Sequence, residues 1–180
     1  MKKLLLVTGL VLSSIISYGQ EKTETFKTKT DVFLSKTGSI IKFVDYSQPP
    51  ISGMYGNNET RVRKITNGTN IPLYVYQIVK VGKYNNSTAS IEYNDLLEVL
   101  KALKTLKTEV VLDEQSPNYT ENKFVSTDGF QLGYYIDKGK SVWYIKLEKY
   151  GTDNTIFIDN VDLIVLAFNG AKTKIEEIKK

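Results

Sequence analysis

Ile91-Glu92-Tyr93-Asn94-Asp95-Leu96-Leu97 decides the fold, because inside it a strand turns into a helix. Upstream, Ala89 to Tyr93 alternates apolar and polar residues as a half-buried strand does. Downstream, Leu96, Leu97, Leu100, Leu103 and Lys107 recur at helical spacing, with Val99 and Leu106 beside them. This predicts a helix capped by Asn94 or Asp95 and ending near Thr108. Lys101, Lys104 and Lys107 fall towards its C-terminal end, where cations suit the helix dipole.

The same passage recurs later in the chain. Ile158-Asp159-Asn160-Val161-Asp162-Leu163-Ile164 lies over it without a gap, again at the end of a strand. A second helix is predicted from about Asn160 through Leu163, Ile164, Ala167, Ala171 and Ile175. Two units of strands followed by one helix imply an α+β fold. The expectation is an antiparallel β-sheet with two helices packed on one face, arranged as degenerate strand-strand-strand-helix repeats.

The strands are read outward from these junctions. Leu73 to Val81 is rich in β-branched and aromatic residues on both faces, the pattern of a central strand. Arg61 to Thr66 alternates, and Asn67-Gly68 turns the chain towards it. Further upstream, Val32-Phe33-Leu34 and Ile40 to Val44 are predicted to form a hairpin across Ser35 to Ser39. Between Ser47 and Thr60 lie Pro49, Pro50, Gly53 and Gly56, which predicts a long loop. In the second half, Lys123 to Ser126, Phe130 to Ile136 and Val142 to Tyr150 read as strands, the last two joined through Asp137-Lys138-Gly139-Lys140. A short strand from Thr155 to Ile158 follows the turn Gly151-Thr152-Asp153-Asn154. Leu100 and Trp143 are expected in the core.

At the N-terminus, Lys2 and Lys3 precede an apolar run from Leu4 to Ile16, then Ser17 to Gly19 and the polar stretch from Gln20. The run is shorter than the ~20 residues of a membrane span, and its layout is that of a cleavable signal peptide. Residues 1–19 are read as the signal, 20–30 as a flexible leader, and 31–180 as one globular domain. The expected location is periplasmic or extracellular, with no membrane span once the signal is cut.

Composition narrows the chemistry. There is no cysteine and no histidine. Disulfides, thiol nucleophiles, Ser-His-Asp triads and ordinary zinc sites are therefore excluded. Removing Lys2 and Lys3 from the 24 basic residues leaves 22 against 20 acidic ones, a net charge of +2 with only two arginines. No nucleic-acid footprint is expected from that balance. No cofactor or metal is expected either.

Four places remain for function. Glu92, Asp95, Asp159 and Asp162 sit in pairs at the strand-to-helix junctions, where helix-dipole stabilisation accounts for them. Arg61 and Arg63 share one side of a strand and could grip an anion. Met54 and Tyr55 place apolar side chains in the Pro/Gly loop, which marks them as contact residues with Arg61 at the base. Asn58, Asn67, Asn86 and Asn118 begin N-x-Ser/Thr sequons in predicted turns or loops. The expected function is a non-enzymatic, exported binding or interaction domain with a protein or glycan partner. A hydrolase using the junction carboxylates and a carrier of a small apolar ligand are the competing classes.

Overall fold

A computed structural model describes residues 26–68 and 71–180. The proposed signal, its cut after Gly19, and residues 20–25 of the leader lie outside them. The order is α1 (Lys29–Leu34), β1 (Lys42–Gly53), β2 (Gly56–Thr66), β3 (Leu73–Lys80), β4 (Ser87–Glu92) and α2 (Tyr93–Asp113). Then come β5 (Glu121–Val125), β6 (Gln131–Asp137), β7 (Lys140–Lys146), β8 (Thr155–Ile158) and α3 (Val161–Ile178).

The α+β reading holds, with a difference in the sheet. The strands form two antiparallel four-stranded sheets, β1-β2-β3-β4 and β5-β6-β7-β8, each followed in sequence by a helix. The repeat therefore has four strands rather than three. In the first half, the segment expected to be a loop instead extends the predicted strands Ile40–Val44 and Arg61–Thr66 into β1 and β2. Pro49 and Pro50 are absorbed by β1 because it is an edge strand and its register shifts between Gln48 and Ile51. A proline that cannot donate costs nothing where no neighbour waits for its N–H.

The predicted hairpin at Val32-Phe33-Leu34 is also corrected. Thr28 accepts from the Asp31 N–H at 3.1 Å while Asp31 accepts from the Thr28 N–H at 2.9 Å, a reciprocal cap that starts α1. Residues 26–30 are thus placed rather than a free leader. Phe26 meets Tyr150 edge-on at 6.1 Å, and Lys29 bonds both Asp95 oxygens at 2.6 and 2.7 Å.

One apolar cluster draws from both sheets and both long helices: Val62, Tyr76, Ile91, Leu132, Trp143 and Phe168 all belong to it. The helices run antiparallel. Lys107 near the end of α2 meets Asp162 at the start of α3, and Tyr93 at the start of α2 meets Glu176 near the end of α3. Their packing crosses over: α3 lies on β1, β2 and β3 of the first sheet, while α2 straddles β3–β4 and β5–β6. α1 sits on the opposite face of the first sheet, the face of Arg61, Gln77, Ser90 and Glu92.

The helix readings need two adjustments. α2 continues five residues beyond Thr108, and its buried stripe is Leu96, Val99, Leu103 and Leu106, with Leu100 only half-buried. Trp143 is buried as expected, its ring centroid 4.9 Å from that of Tyr134. Each helix also starts at a different point in the matched heptapeptides, at Tyr93 in one and Val161 in the other. Consequently Leu96 is buried while its partner in the overlay, Leu163, is exposed.

Candidate functional site

The β1–β2 hairpin ends in a two-residue turn. Pairing runs to Gly53 opposite Gly56, leaving Met54 and Tyr55 at the tip. Gly56, at φ 131°, carries the backbone through a region that side chains disfavour. Three contacts hold the tip in place. The Met54 N–H donates to the Phe157 carbonyl in β8 at 2.9 Å. The Asn58 amide, buried, donates to the Ile51 carbonyl at 3.1 Å. Gly53 approaches β8 so closely that a Cβ would lie 2.9 Å from Ile156 Cγ2.

On this support Tyr55 is 87% exposed and Met54 40% exposed. The Tyr55 ring stands edge-on to Phe157, centroids 6.5 Å apart. Val81, also exposed, joins Tyr55 and Phe157 around a recess of about 60 Å³. Phe157 and Val81 were not singled out in the sequence. They reach the tip only because β8 and the β3–β4 connection converge there, and no local pattern signals that.

Arg61 and Arg63 do share one side of β2, but they lie roughly 16 Å or more along the strand from the tip. The expected cluster of Arg61 with Met54 and Tyr55 does not form. Their anion is already supplied from within the sheet. Asp45 takes a bidentate pair from Arg63 at 2.6 and 2.7 Å and lies 3.7 Å from Arg61. Hydrogen bonding from Arg63 holds the Asp45 carboxyl below the usual carboxylate range, and Asp45 raises the Arg63 pKa in return. Arg61 also donates to buried Gln77 at 2.8 Å, which passes a bond to Ser90 at 2.9 Å. Phe43 stacks under the Arg63 guanidinium at 5.0 Å.

The junction acids do not converge. Glu92 and Asp95 face Lys29 at one end of the helix pair, whereas Asp162 faces Lys107 at the other. Roughly 20 Å of α2 separates Asp95 from Lys107. Only Asn160 among the junction side chains caps a helix directly, accepting from the Asp162 N–H at 2.8 Å; Glu92 precedes α2 without a side-chain cap. Among the described residues no three metal-ligating side chains form a group. No described helix is long and apolar enough to cross a membrane.

Two sequons are closed to modification in the folded chain. Asn58 and Asn67 are buried, and the Asn67 amide donates to the Phe33 carbonyl at 3.1 Å. Asn86 and Asn118 are exposed.

Comparison with known proteins finds no matching family model, no similar curated protein and no similar solved structure.

Proposed function

We propose that this chain is an exported, non-enzymatic interaction domain whose contact surface is the tip of the β1–β2 hairpin. The observation that carries this reading is the pairing of Tyr55, 87% exposed, and Met54 with a backbone already fixed against β8. Exposed apolar anchors on a rigid support lose little conformational entropy on binding, which is the economy of a contact surface. Phe157 and Val81 widen the patch, and Met54 beside Tyr55 favours a protein partner over a sugar ring. The Lys2 to Gly19 layout supports export to the periplasm or beyond.

A photo-crosslinking residue in place of Tyr55, with one in place of exposed Tyr119 as control, tests the reading in cells that make the protein. The exported chain should begin at Gln20 by mass. A discrete, protease-sensitive adduct at the Tyr55 position alone, lost on Met54→Ser, is the expected result. A protease-resistant, periodate-sensitive adduct would make the partner a glycan. Equal labelling at both positions, or none, removes the tip as the contact.

A further inference from the structure

A second surface lies far from the hairpin tip, on the solvent side of the helix pair. α2 and α3 enclose an open groove of about 560 Å³, a size typical of small-molecule sites. Its floor is aliphatic: Leu97, Leu100 and Val165, with Leu103 beneath. Its rim is cationic, formed by Lys101, Lys104, Lys107 and Lys172, and no carboxylate or aromatic ring lines it. The groove runs along α2 from Leu97 to Lys107, about 15 Å.

We propose that this groove binds a free single-chain anionic amphiphile, a long-chain carboxylate or its equivalent. The alkyl chain lies along Leu97, Leu100 and Val165, and the headgroup sits on Lys101 and Lys104. Lysine suits the rim because its methylene stem extends the apolar wall while the ammonium stays in water. The rim is also receptive. Lys104 has no carboxylate partner among the described residues, and Lys101 meets Glu98 only at 3.8 Å with both side chains exposed. Lys107 and Lys172 pair with Asp162 and Glu176 at the groove's margins. Exposed pairs of this kind contribute at most about 1 kcal/mol, so an entering headgroup competes with them easily.

A small ligand is favoured over a protein on the same surface. A stable protein interface draws on about 20–30 residues a side, whereas nine residues line this groove. It also explains an oddity of α2. Leu97 and Leu100 are only half-buried, and Leu97 contributes nothing to the core cluster.

The test is calorimetric titration of the purified protein with laurate below its micelle concentration. Dodecanol serves as the uncharged counterpart and phosphatidylglycerol vesicles as the bilayer source. Laurate should bind saturably at one site, with dodecanol about tenfold weaker, as loss of a charge-assisted contact implies. The double variant K101E/K104E should weaken laurate by about tenfold or more and leave dodecanol unchanged. K36E/K42E, which alters net charge equally at exposed positions elsewhere, should change neither. Leu97→Ser should weaken both ligands without lowering the melting temperature. No saturable binding, equal affinity for laurate in K101E/K104E, or association with vesicles but not monomeric laurate would overturn the proposal. The hairpin substitution Met54→Ser leaves this titration untouched, so the two surfaces stand or fall separately.

Discussion

Asp45 shows how a single residue converts an expected binding site into an internal one. Two arginines on one strand face ordinarily repel and attract anions, but here the carboxylate across the ladder answers both. Its pKa is lower folded than unfolded, so its contribution to stability is complete above the unfolded value of about 4 and fades as pH falls through the folded value. Asp45→Asn should therefore be less stable than the parent at pH 7, and the two should converge under acid. Because Asp45 is more than a third exposed, the gap at pH 7 should be only about 0.5–1 kcal/mol. Denaturant titrations at a series of pH values from 7 downwards check it; a gap that does not narrow as pH falls would mean that packing, not charge, is responsible. Buried Tyr76 illustrates the opposite extreme. Its hydroxyl makes no hydrogen bond of good geometry, and the Thr60 hydroxyl directs its own proton to the Pro49 carbonyl at 2.8 Å. Burial pushes its pKa up to about 12, with Thr60 opposing.

At the scale of elements, the tip of the β1–β2 hairpin is held by contact with β8 as well as by its own pairing. Gly53→Val should force β8 away, since the added carbons begin 2.9 Å from Ile156 Cγ2 and 3.1 Å from the Phe157 carbonyl. Loss of the Met54–Phe157 bond and strain at the junction should cost about 1–3 kcal/mol, read as a lower denaturation midpoint with faster amide exchange at Met54. Unchanged exchange at Met54 would show that the hairpin holds itself. The same dependence explains what the sequence could and could not tell. The strand-to-helix junctions, the central strand Leu73–Lys80 and the Lys138-Gly139 turn are legible because local periodicity and turn chemistry specify them. Lys138 and Gly139 both adopt positive φ, 52° and 73°, as such a turn requires. The prolines of β1 mislead because only strand order reveals that they lie on an edge. α1 was legible in principle, through Thr28 and Asp31 three residues apart, but Val32-Phe33-Leu34 carry stronger strand propensity. Of the site, Met54 and Tyr55 were visible as apolar residues out of place. Phe157 was not, and Lys101, Lys104 and Lys107 were read only as helix-dipole partners, because each site depends on an element distant in sequence.

At the scale of the molecule, the crossed packing of α3 onto β1, β2 and β3, with α2 shared between the sheets, means that neither half covers itself completely. A chain divided after Ser116, in the connection between α2 and β5, should give two fragments without cooperative unfolding when separate. Mixed, they should associate one to one and recover a single transition by circular dichroism. Two fragments that each melt cooperatively alone would refute this. A further consequence concerns time. Synthesis delivers the first sheet well before α3 that packs on it, since β1 to β4 lie within Lys42–Glu92 and α3 occupies Val161–Ile178. The growing polypeptide therefore cannot close this core until α3 has been made.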